Sequence, residues 1–332
     1  MNNLGLGTYR YILSLLVLIS HLWQDMIHGP AAYAVYGFYV LSGFLMTLIL
    51  NEKYGFKASG IARYLKNRAL RIYPVYWLAC AFGLIVYTFA LSNGINASSL
   101  NPAARIPEDT VDFILNIALN PISNPEGRLV SVSHALGIEL GAYILILFFG
   151  RNTSASFTMA ICSLIAICAE GFSSLSFVSR YNGFMTSMLP FATGALLYHY
   201  KDNLKFACSP KLSLFAWIIN GVVWLWNDQY PWTVGLYVSI FFSAWVTLSL
   251  YQAQTTRLDK FLGDLSYPVY LLHTSCGILI LCLADKWESR SFTFMCISFA
   301  VTTLLSVIVI KYFDPLIIKF KSINNKQRGH FC

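Results

Sequence analysis

About ten stretches of roughly 17 to 23 residues run along this chain with few or no charged side chains, each long enough as an α-helix to cross a hydrocarbon core about 30 Å thick. They span 9–28, 33–50, 74–91, 133–149, 155–171, 183–199, 211–226, 231–251, 266–284 and 292–313. In lipid every backbone N–H and C=O must be paired internally, and a helix does this within its own segment. A composition of 57% hydrophobic and 11% charged residues departs from that of soluble domains. No internal repeat and no low-complexity stretch marks off a second unit. The expectation is an all-α fold, a polytopic membrane bundle forming one domain over residues 1–332.

Topology follows from the basic residues, which collect in cytoplasmic loops. With the amino terminus inside, all of the 23 Lys and Arg residues fall on the cytoplasmic side except Arg105, Arg128, Arg180, Lys286 and Arg290. Both termini are therefore expected in the cytoplasm. The net charge of +8 is spread over membrane-proximal loops, where anionic lipid accounts for it and nucleic acid is not called for. Six of the eight cysteines lie inside apolar spans, where a thiol acts as a small hydrophobe. Neither a Cys-x-x-Cys nor a His-x-x-x-His spacing occurs, so no metal is expected.

An ionisable side chain inside the bilayer is costly unless it pairs or lines a cavity, which makes each one a candidate for function. Here they are Arg10, His21 and Asp25 in the first span, His134 and Glu139 in the fourth, Glu170 ending the fifth and His273 in the ninth. Arg10 and His21, eleven residues apart, return to within about 20° of one helical face and lie about 16 Å apart along it. A donor along that face would present its phosphates to the arginine and its reactive carbonyl to the histidine. Counted from the expected span edges, His21 is about 18 Å from the cytoplasmic side and Glu139 about 9 Å below the outer side, one common level. A carboxylate there suits an imidazole general base. His273, about 10 Å in, falls nearer the donor's nucleotide end. Arg68 and Arg71, neighbours at i and i+3 on a helix ending before Pro74, suit bidentate capture of phosphate.

With these residues in view, the chain resembles acyltransferase family 3, a group of integral membrane O-acyltransferases. Arg10 with His21 matches the family's Arg-x10-His element, and Tyr36 to Leu45 resembles its aromatic-rich Ser-Gly-Phe segment. Arg68 to Pro74 resembles Arg-x-x-Arg-Ile-x-Pro. Ser133 to Glu139 with Tyr143 resembles Trp-x-Leu-x-x-Glu-x-x-x-Tyr, and Leu262 to His273 resembles Gly-x-x-Ser-Tyr-x-x-Tyr-Leu-x-His. Tyr11 stands where the family has Gly, and His134 where it has Trp. The resemblance implies transfer of an acyl group, commonly acetyl from cytoplasmic acetyl-coenzyme A as co-substrate, to a sugar hydroxyl of a cell-surface polysaccharide or its lipid-linked precursor, in a bacterial inner membrane. On that reading His21 and Glu139 are catalytic, Arg10, Arg68, Arg71 and His273 hold the donor, and Ser42, Tyr143 and His134 hold the acceptor. The long outer segment 92–132 is expected to cap the acceptor site.

The competing class is a proton-coupled transporter, since intramembrane His and Glu also build proton relays. Inverted repeats and paired Gly/Pro-broken spans, its usual marks, are not seen. A structural partner in polysaccharide assembly is the third reading, and it would tolerate loss of His21.

Overall fold

The computed structural model describes residues 4–26, 29–120, 127–227, 229–253, 255–283 and 288–326; Lys286 and Arg328, and residues 121–126 of the segment expected to cap the acceptor site, lie outside them. The described residues form helices α1 (Leu6–Leu22), α2 (Pro30–Ile49), α3 (Ala58–Ser92), α4 (Thr110–Ala118), α5 (Ser133–Phe149), α6 (Thr153–Glu170), α7 (Phe177–Asn182), α8 (Met188–Tyr200), α9 (Pro210–Trp226), α10 (Leu236–Tyr251), α11 (Arg257–Leu283) and α12 (Phe292–Lys326). They contain no β-strand, only an isolated bridge between Ala104 and Arg128. Each expected span holds one helix. Six are long and apolar enough to cross a membrane, counting the π-turns that carry α2 to Tyr54 and start α10 at Pro231. The helices α1, α5 and α9 are apolar but shorter, and α8 has 13 residues.

Two of the boundaries that differ from expectation bear on the site. Helix α3 starts at Ala58 and passes through Pro74 without a break; a membrane helix tolerates proline where its neighbours take up the freed backbone group. Helix α11 begins at Arg257, nine residues before the expected span edge, and contains Pro268. Its first turns carry Asp259, Lys260 and Asp264, which conceal it from a hydropathy reading. Asp259 is buried (2% exposed) because it caps α1: its carboxylate accepts from the backbone N–H groups of Gly5 (3.0 Å), Gly7 (3.3 Å) and Thr8 (2.8 Å) and from Thr8 Oγ1 (2.8 Å). An anion at a helix amino terminus satisfies orphan donors and meets the positive end of the dipole.

This cap sets α1 and α11 side by side and parallel. A Cβ on Gly263 would stand 2.8 Å from Gly7 Cα, and one on Gly7 would collide with the Asp259 backbone, so the two backbones meet as only glycines allow. We call the face at which both helices begin the near face and the opposite one the far face. Helix α2 runs the other way, and α5 runs parallel to it: Tyr39 OH donates to the Ala135 carbonyl (3.1 Å), Ser42 meets Glu139, and Asn51 Nδ2 donates to the Gly150 carbonyl (2.9 Å).

That register places the start of α5 four to seven residues below the far end of α2, about 6 to 10 Å into the bundle. The chain before it folds inward. Tyr73, Tyr76 and Trp77 of α3 donate to the carbonyls of Ala118, Asn116 and Ile117 at the end of α4. Tyr76 lies sixteen residues back from Ser92, about 24 Å along α3. The Asn116 side chain donates to Gly127 O and accepts from Leu129 N, while Leu129 and Val130 are buried (each 1% exposed). Irregular backbone is tolerated at such depth when protein surrounds it and its polar groups are paired. Gly83 of α3 makes room for it: a Cβ there would stand 2.0 Å from the Leu129 carbonyl oxygen. The segment read as an outer loop is thus largely re-entrant.

Candidate active site

Between α1, α2, α3, α5 and α11 lies a cavity of about 760 Å³, part of it open to solvent, lined among others by Arg10, Ser42, Arg68, Arg71, Glu139, Tyr143, Tyr267 and Tyr270. Arg10 is half-buried on α1, and Arg68 and Arg71 come from the near half of α3. Arg10 is within electrostatic range of Arg68, Arg71, Glu139 and Tyr143. Three guanidinium groups therefore face one carboxylate. No ion pair engages any of them among the described residues, where the salt bridges are confined to Glu52, Lys201, Asp202 and Lys205. Arg68 gives Nη1 only to the Met46 sulfur (3.5 Å), and its buried Nε has no partner. An arginine carries five N–H donors in a fixed fork and leaves them idle at a cost. Such a set matches an anion with several oxygens, phosphate above all.

Glu139 is held within this cavity. One of its oxygens accepts from Ser42 Oγ and from Tyr143 OH, each at 2.5 Å, lengths expected of hydroxyls bonding a carboxylate. The i, i+4 spacing of Glu139 and Tyr143 on α5 brings that pair together, and α2 supplies the serine from across the groove.

His21 stands elsewhere. It lies eleven residues beyond Arg10 on α1, about 16 Å toward the far face, and it is half-buried. Its ring centroid is 5.4 Å from that of His273, with the planes inclined by 30°. Its Nδ1 is 3.5 Å from Asn101 Nδ2. Asn101 belongs to the segment between α3 and α4, and the Arg290 side chain donates to the neighbouring Leu100 carbonyl. His273 is fully buried; its Nδ1 donates to the carbonyls of Tyr270 (2.8 Å) and Val269 (3.3 Å). Tyr270 joins the two regions. Its ring lines the cavity and lies 6.3 Å from the His273 ring, and its hydroxyl donates to the Val132 carbonyl (2.9 Å).

The expected donor arginines are gathered in one place, but two expected neighbourhoods are corrected. Glu139 does not meet His21: α5 starts deep in the bundle, which carries Glu139 toward the near face and the arginines. His273 sits beside His21, not nearer the cytoplasmic edge as the span boundaries suggested. With α11 starting at Arg257, it lies about 24 Å along its helix, and His21 about 22 Å along α1, a shared level. Ser42 and Tyr143 support Glu139 in the basic cavity. His134 is apart from both. Its Nε2 donates to the Asn182 carbonyl (3.1 Å), its Nδ1 faces Arg128 Nη2 (3.4 Å), and it lines a separate hollow of about 230 Å³ with Tyr76, Asn116 and Asn120. Asp25 and Glu170 are exposed. Arg180, counted from sequence as an outer loop charge, is fully buried and donates to four backbone carbonyls and to Tyr237 OH, tying α7 to the start of α10.

Sequence reasoning missed Asn101 and Arg290 beside His21. Neither sits at a motif spacing, and only the inward path of the segment after α3 brings Asn101 there. Tyr267 and Tyr270 fall inside the late motif. Their hydroxyls bond between helices and the segment before α5, Tyr267 to the Ile72 carbonyl (2.9 Å) and Tyr270 to that of Val132, and both side chains wall the cavity.

No curated protein and no solved structure matches this chain. A family model described as an acyltransferase domain matches residues 3–311. That stretch includes α1 to α11, the basic cavity and the imidazole pair. The chain therefore belongs to acyltransferase family 3, as a multi-pass membrane acyltransferase.

Proposed function

We propose that this protein is an O-acetyltransferase of a bacterial inner membrane that moves acetyl from cytoplasmic acetyl-coenzyme A to a hydroxyl of a cell-surface polysaccharide or lipid-linked glycan. The near face is then cytoplasmic and the far face outer, with ten helices in the membrane and both termini inside. One observation carries the reading: three guanidiniums without ion pairs line a cavity whose floor, Tyr270, adjoins the pair His21 and His273. A phosphorylated donor seated on Arg10, Arg68 and Arg71 extends its thioester along α1 toward His21. The acceptor approaches from the far face, beneath the segment that carries Asn101.

His21 is the base in this scheme. It takes the proton of the acceptor hydroxyl as the oxygen attacks the thioester carbonyl carbon. The carbon–sulfur bond breaks, the proton passes to the departing thiolate, and the products are a glycan acetate ester and the free thiol of coenzyme A. Positioned proton transfer of this kind contributes about 10²- to 10⁴-fold to rate. Glu139, bonded to Ser42 and Tyr143, offsets part of the positive charge of the donor cavity and leaves the arginines for the phosphates.

The test is reconstitution of the purified chain in nanodiscs with radiolabelled acetyl-coenzyme A and crude surface polysaccharide, comparing wild type with His21→Ala. Label appears in glycan with wild type and falls at least a hundredfold with the variant, while donor binding persists. Equal transfer by both removes His21 from the chemistry. Absence of both transfer and donor binding in wild type and variant alike would favour a transporter.

A further inference from the structure

The hydrogen bonds around the two imidazoles settle which nitrogen of each carries a proton. His273 Nδ1 faces two backbone carbonyls, those of Tyr270 at 2.8 Å and Val269 at 3.3 Å. A carbonyl only accepts, so Nδ1 is the N–H and Nε2 bears the lone pair. That Nε2 is buried and has no hydrogen-bond partner. On His21 the orientation of Asn101 decides. The Asn101 Oδ1 accepts from the Ala103 backbone N–H (3.0 Å), which turns Nδ2, a donor, toward His21 Nδ1 (3.5 Å). His21 Nδ1 is therefore the acceptor, and the His21 proton resides on Nε2.

One ring thus has a proton on Nε2, the other an idle lone pair on Nε2, and their centroids lie 5.4 Å apart. A buried acceptor without a partner costs free energy on the order of 1 to 3 kcal/mol, and the His21 N–H is the donor at hand. We infer that His273 is the positioning residue of His21: its Nε2 receives the His21 Nε2–H after a turn of the His21 ring, and the Tyr270 carbonyl holds His273 in turn. The relay Tyr270 carbonyl, His273, His21 leaves His21 Nδ1 as the base nitrogen. Asn101 covers that nitrogen at a distance long enough for a hydroxyl to displace it. The logic is that of a base oriented by a third group, here assembled from two helices that the Asp259 cap and the Gly7–Gly263 contact hold parallel. The inference rests on the acetyltransferase reading above and goes against the donor-binding role that the sequence suggested for His273.

The experiment measures steady-state acetyl transfer from acetyl-coenzyme A to crude surface polysaccharide by reconstituted wild type, His273→Gln and His273→Phe, with equilibrium binding of acetyl-coenzyme A as the measure of a folded donor site. Gln can place its amide oxygen near the position of Nε2, whereas Phe keeps the ring volume and removes the acceptor. Phe is expected to lower kcat about 10- to 100-fold, the loss typical when the partner orienting a functional imidazole is removed, with the KM for acetyl-coenzyme A within twofold of wild type. Gln is expected to restore at least a fifth of kcat. A rise in that KM with kcat unchanged would return His273 to the donor site, and equal losses in Gln and Phe would reduce it to packing; either result overturns the inference. Should Phe fail to bind the donor at all, His273→Asn replaces it, because Asn keeps a donor for the Tyr270 carbonyl but ends short of Nε2. Absence of transfer by wild type would defeat the underlying acetyltransferase reading instead, and the relay with it.

Discussion

At the residue scale, Arg68 makes the sharpest statement. Its neighbours give it one sulfur contact and leave its Nε unpaired, although a buried donor is costly to leave idle. If it waits for a phosphate, Arg68→Ala removes a charge-assisted contact of about 1.5 to 3 kcal/mol, which raises the Kd for acetyl-coenzyme A about 10- to 100-fold. Lysine brings back the charge without the fork, so Arg68→Lys recovers only part of the loss. Filter binding of labelled acetyl-coenzyme A by the three proteins reads this directly, and unchanged affinity in the alanine variant would move the donor away from this cavity. The arginines were legible in the sequence because i, i+3 spacing and an eleven-residue interval fix faces of helices whatever their ends are. The neighbours of His21 and Glu139 were not, because pairing across helices depends on depth, and depth was counted from boundaries that charges and an inward-folding segment had displaced.

At the scale of elements, two contacts govern where the chemistry sits. The Asp259 carboxylate binds three backbone N–H groups and the Thr8 hydroxyl at the start of α1. It thereby sets the register that brings His21 level with His273. Loss of a capping residue costs roughly 0.5 to 2 kcal/mol. Asp259→Ala is accordingly expected to lower the melting temperature of the protein in nanodiscs by a few degrees and to reduce kcat, with donor affinity near that of wild type; a variant as stable and as fast would show that the α1–α11 register is fixed elsewhere. The second contact is Gly83 against Leu129. Gly83→Ala puts a methyl group where the Leu129 carbonyl oxygen stands, forcing the re-entrant segment away from α3. Because that segment also presents Asn101 to His21, glycan transfer should fall at least tenfold while acetyl-coenzyme A still binds. Nothing in hydropathy reveals such a segment: residues 92–132 are polar enough to read as an outer loop, yet Leu100, Asn101, Asn116, Leu119, Leu129 and Val130 are buried, and Asn116 with the Tyr73, Tyr76 and Trp77 side chains pairs backbone groups there.

Over the whole molecule, the arrangement has a direction. The arginines of the basic cavity lie toward the face where α1, α3 and α11 begin, and the imidazole pair lies about 16 Å further along α1. The proposed donor, acetyl-coenzyme A, is supplied from the cytoplasm, so the position of the arginines and the topology stand or fall together. Charge alone argued the same sidedness, since all but five of the 23 Lys and Arg residues were expected on one side; the helices agree, with Ser59 and Lys57 at the near end of α3 and Asn93 past its far end. In a chain whose eight native cysteines are replaced and which retains transfer activity, Ser59→Cys and Asn93→Cys each add one exposed thiol. A membrane-impermeant maleimide added to spheroplasts should label Asn93→Cys and reach Ser59→Cys only after the membrane is permeabilised. The reverse pattern would put the arginines on the outer side, where no acetyl-coenzyme A is supplied, and the donor assigned to them would have to be some other anion.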